Sequence, residues 1–265
     1  MKMAATNPRA SMFDLTGRRA LVTGGRRGIG RAIALCFAAY GAQVAVHHAG
    51  TDEESHDASA VVQEIEEQGG VAKAFAADFS ERGEGTRVAR DVIDTFGPID
   101  ILVLNASIEI LEDYEEISDQ TFDRQIAINL RAPMELVQSL LPGMKARGWG
   151  RVLAIGSIQQ LKPHPKMLVY AGTKSAQLNW VRHLARHVAS GGVTVNNLAP
   201  GAIWTKRNDN RLSDPIIRSQ MEQRIPLGRI GTAEDLAGAA LLLCSNAGSY
   251  INGADLLVDG GLNVT

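Results

Sequence analysis

The sequence predicts an α/β fold in which a doubly wound (Rossmann) parallel sheet of about seven strands carries helices on both faces. Short apolar segments alternate along the chain with longer amphipathic ones. Near-continuous apolar strands joined by helical crossovers are typical of parallel sheets that are covered on both faces. Because such crossovers are right-handed, the sheet is expected to be doubly wound. No Pro-, Gly- or Ser-rich linker divides the 265 residues, so a single domain is predicted.

The apolar segments predict strands at 19–23, 43–47, 71–76, 100–105, 151–156, 193–199 and 255–260. The amphipathic segments predict helices at roughly 28–40, 53–68, 84–96, 118–146, 168–190 and 232–244. Residues 201–230 fit neither period and interrupt the last crossover. A long segment of this kind is more often a lid over a ligand than a structureless connection. The catalytic domain is therefore expected at 14–265, after a disordered tail at 1–13.

Composition and charge exclude several classes of protein. The net charge of −2 argues against nucleic acid or an anionic membrane as the main partner. No apolar run reaches ~18 residues, so no membrane span is expected, and residues 1–13 lack the apolar core of a secretory signal. Cys36 and Cys244 lie in apolar helical stretches and are interpreted as small buried side chains in a reducing compartment. These observations favour a cytoplasmic protein.

A glycine-rich turn follows the first predicted strand. Gly24, Gly28 and Gly30 stand between this strand and the first helix. Glycines allow a tight turn and let backbone N–H groups approach a pyrophosphate, which then lies at the positive end of the helix. The spacing is G-x-x-x-G-x-G, so the commoner G-x-G-x-x-G motif is matched only in kind. A turn that is rich in glycine only for tight packing is the alternative.

Two polar residues mark the carboxyl ends of other strands. Asp78 follows strand 71–76, and Asn105 ends strand 100–105. Ligands of open α/β sheets bind at these ends. Asp78 is expected to accept a hydrogen bond from an adenine amino group, and Asn105 to form a wall beside the adenosine ribose. A helix cap or a turn is the alternative role for each.

A possible proton-transfer site combines Ser157, Tyr170 and Lys174. Tyr170 and Lys174 are four residues apart and share one face of a predicted helix, while Ser157 follows a strand 13 residues upstream of Tyr170. A neighbouring ammonium favours the phenolate and lowers the tyrosine pKa from its usual value of ~10. Tyr170 could then act as an acid or base near neutral pH, with Ser157 holding the substrate oxygen. The alternative is an ordinary surface Tyr–Lys pair.

From about residue 14 to its end, the chain resembles the short-chain dehydrogenase/reductase family in the order and spacing of its motifs. The matching motifs are Thr23-Gly24-x-x-x-Gly28-Ile29-Gly30, Asn105-Ala106, Asn129-Leu130, Ser157, Tyr170-x-x-x-Lys174, Pro200-Gly201 and Asp259-Gly260-Gly261. The resemblance implies NAD(P)(H)-dependent interconversion of an alcohol and a carbonyl. It implies Asn129, Ser157, Tyr170 and Lys174 as catalytic residues. Asn129 would keep a water and the lysine in a proton relay, and Lys174 would also bind the nicotinamide ribose.

Two departures from the family pattern concern the segment after the fourth predicted strand. The family's usual Asn-Asn-Ala-Gly reads Leu-Asn-Ala-Ser at 104–107. Leu104 therefore removes an amide, and Ser107 adds a hydroxyl beside the expected nicotinamide pocket. Neither change touches the proton-transfer residues, so the departures concern the fit of cofactor and substrate.

The cofactor is expected to be NADP(H), with NAD(H) possible. After strand 43–47, family members that prefer NAD place an aspartate, and His48 stands there in this chain. Arg26 and Arg27 can supply charge-assisted hydrogen bonds to the 2′-phosphate, unless they are solvated surface charges. Asp52 is expected to cap the next helix. The predicted cofactor-binding residues are Gly24, Arg26, Arg27, Gly28, Ile29, Gly30, His48, Asp78, Phe79, Asn105, Ala106, Tyr170, Lys174, Pro200, Gly201, Ile203 and Thr205.

The expected substrate is a small polyhydroxylated molecule such as a sugar or polyol. Amides and histidine can exchange hydrogen bonds with several hydroxyls, and an indole can cover a sugar ring. His164 as a turn residue and Trp204 as an anchor of the lid are the alternatives. The predicted substrate-binding residues are Ser107, Ser157, Gln159, His164, Tyr170, Trp204 and Arg207, and no metal site is predicted.

Two other functions remain open: a 3-oxoacyl thioester reductase, and a sensor that binds a dinucleotide without turnover. The resemblance also implies a homotetramer that pairs through the stretches at 118–146 and 168–190.

Overall fold

The computed structural model describes residues 12–265, which contain one parallel sheet of seven strands. The strand order is β3-β2-β1-β4-β5-β6-β7. The strands are β1 (Arg19–Val22), β2 (Gln43–His48), β3 (Val71–Ala76), β4 (Ile101–Leu104), β5 (Gly150–Ile155), β6 (Val193–Pro200) and β7 (Asp255–Val258). The predicted fold class is confirmed. The strand ends differ from the predicted ones only by the small shifts expected when boundaries are read from sequence.

Helices cover both faces of the sheet. They are α1 (Gly28–Ala39), α2 (Asp52–Glu67), α3 (Glu84–Phe96), α4 (Asp119–Ile126), α5 (Ala132–Ala146), α6 (Leu168–Val188), α7 (Asp209–Leu212), α8 (Pro215–Gln223) and α9 (Glu234–Cys244). The single helix predicted at 118–146 was wrong in one respect. A π-helical turn at Ala127–Arg131 separates α4 from α5, and this turn contains Asn129. Such turns occur frequently at functional sites.

Two apolar layers hold the helices to the sheet. Successive side chains of a strand point to opposite faces, and β1 illustrates this: Val22 joins the layer under α1 and α9, whereas Leu21 joins the layer under α3, α5 and α6. Phe37 of α1 and Leu136 of α5 are both fully buried, one in each layer. Because strands such as β1 are buried on both faces, their sequences are almost continuously apolar.

The topology places a crevice at the carboxyl edge of the sheet. β1 pairs with β2 on one side and with β4 on the other, so the chain winds away from β1 in both directions. Ligands of doubly wound sheets bind where the winding direction changes. The glycine-rich turn after β1 and the segments that follow β4, β5 and β6 all lie along this edge.

The predicted tail lies mostly outside the described residues, which begin at Met12. Phe13, which the prediction assigned to the tail, is half-buried and packs against the layer under α1. Cys36 and Cys244 are both free thiols, half-buried and buried respectively. Within the part of the chain that the structure describes, no helix has the length and apolar character needed to cross a membrane.

Candidate active site

A cavity of about 930 Å³ opens at the carboxyl edge of the sheet. It runs from the glycine-rich turn and the start of α2, past Asn105, Ser157 and Tyr170, to residues 201–230, the predicted lid. Most of the residues predicted to bind cofactor or substrate line it. Three of the predicted site residues do not: Gly30, Asn129 and Trp204.

The glycine-rich turn is shaped to hold an anion. Gly24 and Gly28 have φ of +61° and +52°, in the left-handed region that favours glycine. A Cβ on Gly30 would lie 2.3 Å from the carbonyl oxygen of Gly24, so Gly30 supports the turn by close packing and does not line the cavity. α1 begins at Gly28 without a side-chain cap or an acidic residue in its first turn. Its free N–H groups therefore fit a pyrophosphate.

Thr23 and Asn105 tie this turn to the end of β4. The Thr23 hydroxyl accepts hydrogen bonds from the backbone N–H groups of Asn105 and Ala106 at 2.9 and 3.0 Å. The Asn105 amide donates to the carbonyl oxygens of Thr23 and Gly24 at 2.8 and 3.1 Å. Asn105 thus lines the cavity and also holds the turn in place. Thr23 therefore also holds the turn in place. In the sequence, only its position in the glycine-rich motif indicated this role.

His47 is a supporting residue that sequence reasoning missed. Its Nδ1 accepts a hydrogen bond from the Gly24 N–H at 3.0 Å, and its Nε2 donates to the Ala77 carbonyl oxygen at 2.9 Å. The ring stacks on Phe79 with centroids 4.0 Å apart. Burial lowers the pKa of His47 to about 4, so the ring is neutral at pH 7. The only signal in the sequence was a polar residue inside an otherwise apolar strand.

Arg26 and Arg27, which were predicted as a pair, have different surroundings. Arg26 is only 8% exposed and donates to Glu54 and Asp57 of α2, each at 2.6 Å. Arg27 is exposed, and it has no carboxylate within 4.0 Å among residues 12–265. Partial burial, with a smaller effect from Arg26, lowers the pKa of Arg27. Of the two arginines, Arg27 is therefore the one that remains available to bind an anion.

His48 and Asp78, which were predicted to bind the cofactor, both line the cavity. His48 is buried at the cavity edge, where its Nδ1 accepts from the Gly50 N–H at 3.2 Å. Asp78 lines the cavity and also accepts hydrogen bonds from the backbone N–H and the hydroxyl of Ser80.

The expected role of Asp52 as the cap of α2 was wrong. Asp52 is the first helical residue of α2, and the cap is Thr51, whose hydroxyl is better placed to accept a backbone N–H.

Tyr170, Ser157 and Lys174 lie together beside the cavity, and all three are buried. The Lys174 ammonium lies 5.7 Å from the centre of the Tyr170 ring and donates to the Ile155 carbonyl oxygen at 2.7 Å. Burial lowers the pKa of Lys174 to about 7. The expected net lowering of the Tyr170 pKa was wrong. Burial raises it, and the nearby Arg207 guanidinium and Ser157 hydroxyl only oppose that effect.

Asn129 lies behind the cavity, in the π-helical turn. Its side chain accepts from the Ile108 N–H and donates to the Ile108 carbonyl oxygen, both at 2.9 Å. It also donates to the Thr173 hydroxyl at 3.1 Å. Its backbone oxygen accepts from the Gln177 amide at 2.7 Å, and Gln177 in turn accepts from Lys174. Asn129 thus holds the segment after β4 and connects to the lysine through a side chain that sequence reasoning missed.

On the lid side, Arg207 reaches across the cavity. One Arg207 nitrogen donates to the Ser107 carbonyl oxygen at 2.7 Å. Glu109, which the sequence analysis did not single out, also lines the cavity there. Gln159 has a buried amide oxygen without a hydrogen-bond partner among the described residues, and His164 lines the same region.

Trp204 does not line the cavity, so its predicted contact with substrate was wrong. Its indole N–H donates to Asp209 at 2.8 Å, and its ring packs against a small apolar cluster that joins residues of the predicted lid to Ile158 and Leu262. The buried members of that cluster are Ile158, Leu212, Ile225, Ile230 and Leu262. A large apolar ring gains more from this packing than from facing an open polar cavity. Trp204 therefore anchors the segment that was predicted to be a lid.

The geometry suits proton transfer at a substrate oxygen. A carbonyl or hydroxyl oxygen placed between Ser157 and Tyr170 would accept a hydrogen bond from Ser157 and exchange a proton with the phenol. Beside this point the cavity is lined by Ala202 and by four predicted residues, Pro200, Gly201, Ile203 and Thr205. Within residues 12–265, no group of three or more His, Cys, Asp or Glu side chains is placed to hold a metal ion.

Comparisons with known proteins cover nearly the whole chain. A family model described as enoyl-(acyl carrier protein) reductase matches residues 24–263. L-rhamnose-1-dehydrogenase of Scheffersomyces stipitis is 36% identical over 251 residues, which cover 94% of this chain and 97% of the relative. Gluconate 5-dehydrogenase of Gluconobacter oxydans is 34% identical over 264 residues, which cover 96% and 98%. A crystal structure of 3-oxoacyl (acyl-carrier-protein) reductase from Agrobacterium tumefaciens with NADP bound has a TM-score of 0.90 at 40% identity, covering 95% of this chain and 96% of that one.

Proposed function

The chain belongs to the short-chain dehydrogenase/reductase family, and we propose that it oxidises a secondary alcohol or sugar hydroxyl of a small polyhydroxylated substrate, or reduces the corresponding carbonyl. The observation that carries this proposal is the meeting of Ser157 and Tyr170 in the cavity that also contains the glycine-rich turn. The cofactor, when bound, accepts or donates the hydride. Tyr170 moves the proton, Ser157 holds the reacting oxygen, and Lys174 supports Tyr170.

The proposed cofactor is NADP(H), with NAD(H) possible. The free N–H groups at the start of α1 would hold the pyrophosphate. Arg27 would bind the 2′-phosphate, since its charge is not matched by a carboxylate of the described chain. The related 3-oxoacyl reductase, whose structure contains NADP, supports this choice.

A sugar or polyol is the proposed substrate class. Gln159 and His164 in the cavity wall support it, because amides and histidine can exchange hydrogen bonds with substrate hydroxyls. The relatives named as rhamnose and gluconate dehydrogenases also support it. A 3-oxoacyl thioester is the second candidate, favoured by the relative with that name.

The experiment that tests this proposal compares two reactions of the purified protein. Oxidation of aldoses, polyols and aldonates is followed with NADP⁺, and reduction of acetoacetyl thioesters with NADPH. We expect kcat/KM to be higher for at least one polyhydroxylated substrate. Higher kcat/KM for the thioester would favour the reductase, and cofactor binding without turnover of any substrate would favour the sensor.

We also propose a homotetramer in the cytoplasm. The tetramer rests on the family resemblance. Leu178, Val181 and Val188 of α6 are already buried within one chain, so their apolar character is not evidence for an interface. The cytoplasmic location is supported by the two free thiols. Light scattering at micromolar concentration tests the assembly, and a monomer mass would contradict it.

A further inference from the structure

Four arginines line the lid side of the cavity without carboxylate partners. They are Arg124, Arg207, Arg211 and Arg224. None of them lies within 4.0 Å of a carboxylate in the part of the chain that the structure describes, whereas the arginines in ion pairs are Arg26, Arg31, Arg87, Arg90, Arg147 and Arg229. Glu109 is the acidic residue that lines this side. A cleft lined mainly by one sign of charge attracts ligands of the opposite sign.

Arg207 is the arginine of this group whose charge is felt at Tyr170 and Lys174. Its guanidinium is close enough to Tyr170 to lower the pKa of the phenol. One nitrogen is used by the Ser107 carbonyl oxygen. The guanidinium has five N–H donors, so several remain for a ligand. A planar fork of this kind binds a carboxylate through two parallel hydrogen bonds.

Resting on the proposed function, we propose that the substrate is an anion: a polyhydroxylated carboxylate of the aldonic-acid class, whose carboxylate binds Arg207. The hydroxyl chain then lies toward Ser157, Tyr170 and Gln159. A neutral sugar would leave the Arg207 guanidinium without a carboxylate partner, whereas a sugar acid would supply one. The other three arginines attract the anion to the cavity.

The test uses gluconate and gluconamide, which carry the same hydroxyls and differ in the charge of one end group. We expect the wild type to favour gluconate in kcat/KM by about 10- to 100-fold, mainly through KM, because a hydrogen bond between two charged groups is replaced by a weaker one. In the Arg207→Gln variant this preference should disappear, and in Arg207→Lys it should persist in part. Arg90→Gln, which removes an exposed arginine of α3 outside the cavity, should keep the wild-type ratio.

Distinct results would overturn this subsite and the proposed function. Equal use of gluconate and gluconamide, or oxidation of L-rhamnose and other neutral sugars in preference to aldonates, overturns the anion subsite and leaves the proposed function standing. A higher Kd for NADP⁺ in Arg207→Gln, with an unchanged substrate ratio, would assign Arg207 to the cofactor. Reduction of acetoacetyl thioesters without oxidation of any polyhydroxylated compound overturns both.

Gln177 lies one turn after Lys174 in α6. Gln177 is 3% exposed. Its amide oxygen accepts from the Lys174 ammonium at 3.1 Å, and its amide nitrogen donates to the Asn129 backbone oxygen at 2.7 Å. The orientation of the amide is fixed by its partners, because an ammonium only donates and a carbonyl oxygen only accepts.

The contact has a consequence for the charge of Lys174. Burial favours the neutral amine and lowers its pKa. Acceptors that bind the ammonium favour the charged form. Ile155 and Gln177 supply two such acceptors, so they occupy two of the three N–H groups and leave the third for the cavity.

We infer that Gln177 is a positioning residue that keeps Lys174 charged and pointed toward Tyr170. The π-helical turn has a role in this arrangement, since it supplies the Asn129 oxygen that fixes the Gln177 amide. Loss of the amide would release Lys174 toward its neutral form. The phenolate of Tyr170 would then lose the neighbouring positive charge that favours it.

The test is the pH dependence of kcat/KM for alcohol oxidation in the Gln177→Met variant. Oxidation requires deprotonated Tyr170, so the rising limb of the profile should move to higher pH by about one unit, which is the effect of losing one hydrogen bond to a charged group. Gln125→Met is the matched control, because Gln125 is 1% exposed and neither of its amide atoms has a partner among the described residues. The pH profile of Gln125→Met should coincide with that of the wild type. A Gln177→Met profile at the wild-type position, with only reduced thermal stability, would overturn the inference and leave Gln177 a structural residue.

Discussion

The imidazole of His47 accepts a hydrogen bond from the backbone N–H of Gly24 at 3.0 Å. The contact joins the second strand to the turn that is shaped for a pyrophosphate. It requires a lone pair on Nδ1, so the proton of the neutral ring lies on Nε2, which donates to the Ala77 carbonyl oxygen. Protonation of the ring would place a proton on Nδ1 as well, and the Gly24 N–H would then face another donor.

His47 should make the protein sensitive to acid. Its pKa is about 4 in the folded chain, against an ordinary value of 6.5. Between these values the unfolded chain binds a proton that the folded chain does not. The free energy of unfolding should therefore fall as pH decreases from 6.5 towards 4, by up to about 3 kcal/mol from this residue.

Urea unfolding of the wild type and of His47→Gln at several pH values measures this contribution. The variant should be less stable at pH 7, because the stacking on Phe79 is lost, but it should lose less stability on acidification. His56→Gln, at an exposed position of α2, should follow the wild-type pH dependence. Parallel curves for His47→Gln and the wild type would mean that another group titrates.

Arg27 should set the preference for the 2′-phosphate. Arg26 is already matched by Glu54 and Asp57, whereas Arg27 has no such partner in the described chain. We expect Arg27→Ala to raise the Kd of NADP(H) by about 10- to 100-fold while the Kd of NAD(H) stays nearly unchanged. Calorimetric titration with both cofactors measures the two constants. Arg31→Ala, which removes an arginine of α1 that is paired with Glu64, is the control. An Arg27→Ala variant that still discriminates between the cofactors would contradict this role.

The strands and the motif residues could be predicted because their signals are local. A strand such as β1 is buried on both faces, and that burial leaves a continuous apolar run. Gly24, Tyr170 and Lys174 belong to patterns in which spacing along the chain determines spacing in the structure. Their meeting in one cavity follows from the rule that the carboxyl ends of parallel strands share an edge.

Other features depend on contacts between distant segments, which leave no period in the sequence. The pairing of Arg26 with Asp57 joins residues that are 31 positions apart. The π-helical turn at Asn129 lies inside a stretch whose apolar pattern predicts one continuous helix. The orientation of the Trp204 side chain depends on the apolar cluster against which it packs, whose members come from residues 158–262.

Removal of the Trp204 ring should loosen the lid. The ring packs on the cluster that includes Leu212 and donates to Asp209, so Trp204→Ala should lose about 2 kcal/mol of packing within the lid. We expect KM for the substrate to rise about tenfold or more, and residues 201–230 to be cleaved faster by protease. Cofactor Kd should change little. Trp204→Phe keeps most of the packing and should remain close to wild type. A rise in KM that is equally large in Trp204→Phe would instead indicate direct contact between the indole and the substrate.

Tyr170 should be the group whose proton controls turnover. Burial raises the pKa of its phenol, so the base form needed for alcohol oxidation becomes more abundant as pH increases above neutrality. The rate of oxidation should therefore rise with pH, and the rate of carbonyl reduction should fall.

In Tyr170→Phe we expect kcat to decrease by at least ~10² and the pH dependence to disappear. Cofactor Kd should stay near the wild-type value, because the ring remains in place. Stopped-flow measurement of NADPH formation separates this chemical step from product release. Wild-type rates in the Phe variant would show that another group transfers the proton, and a large loss of cofactor affinity would show that the hydroxyl has a binding role instead.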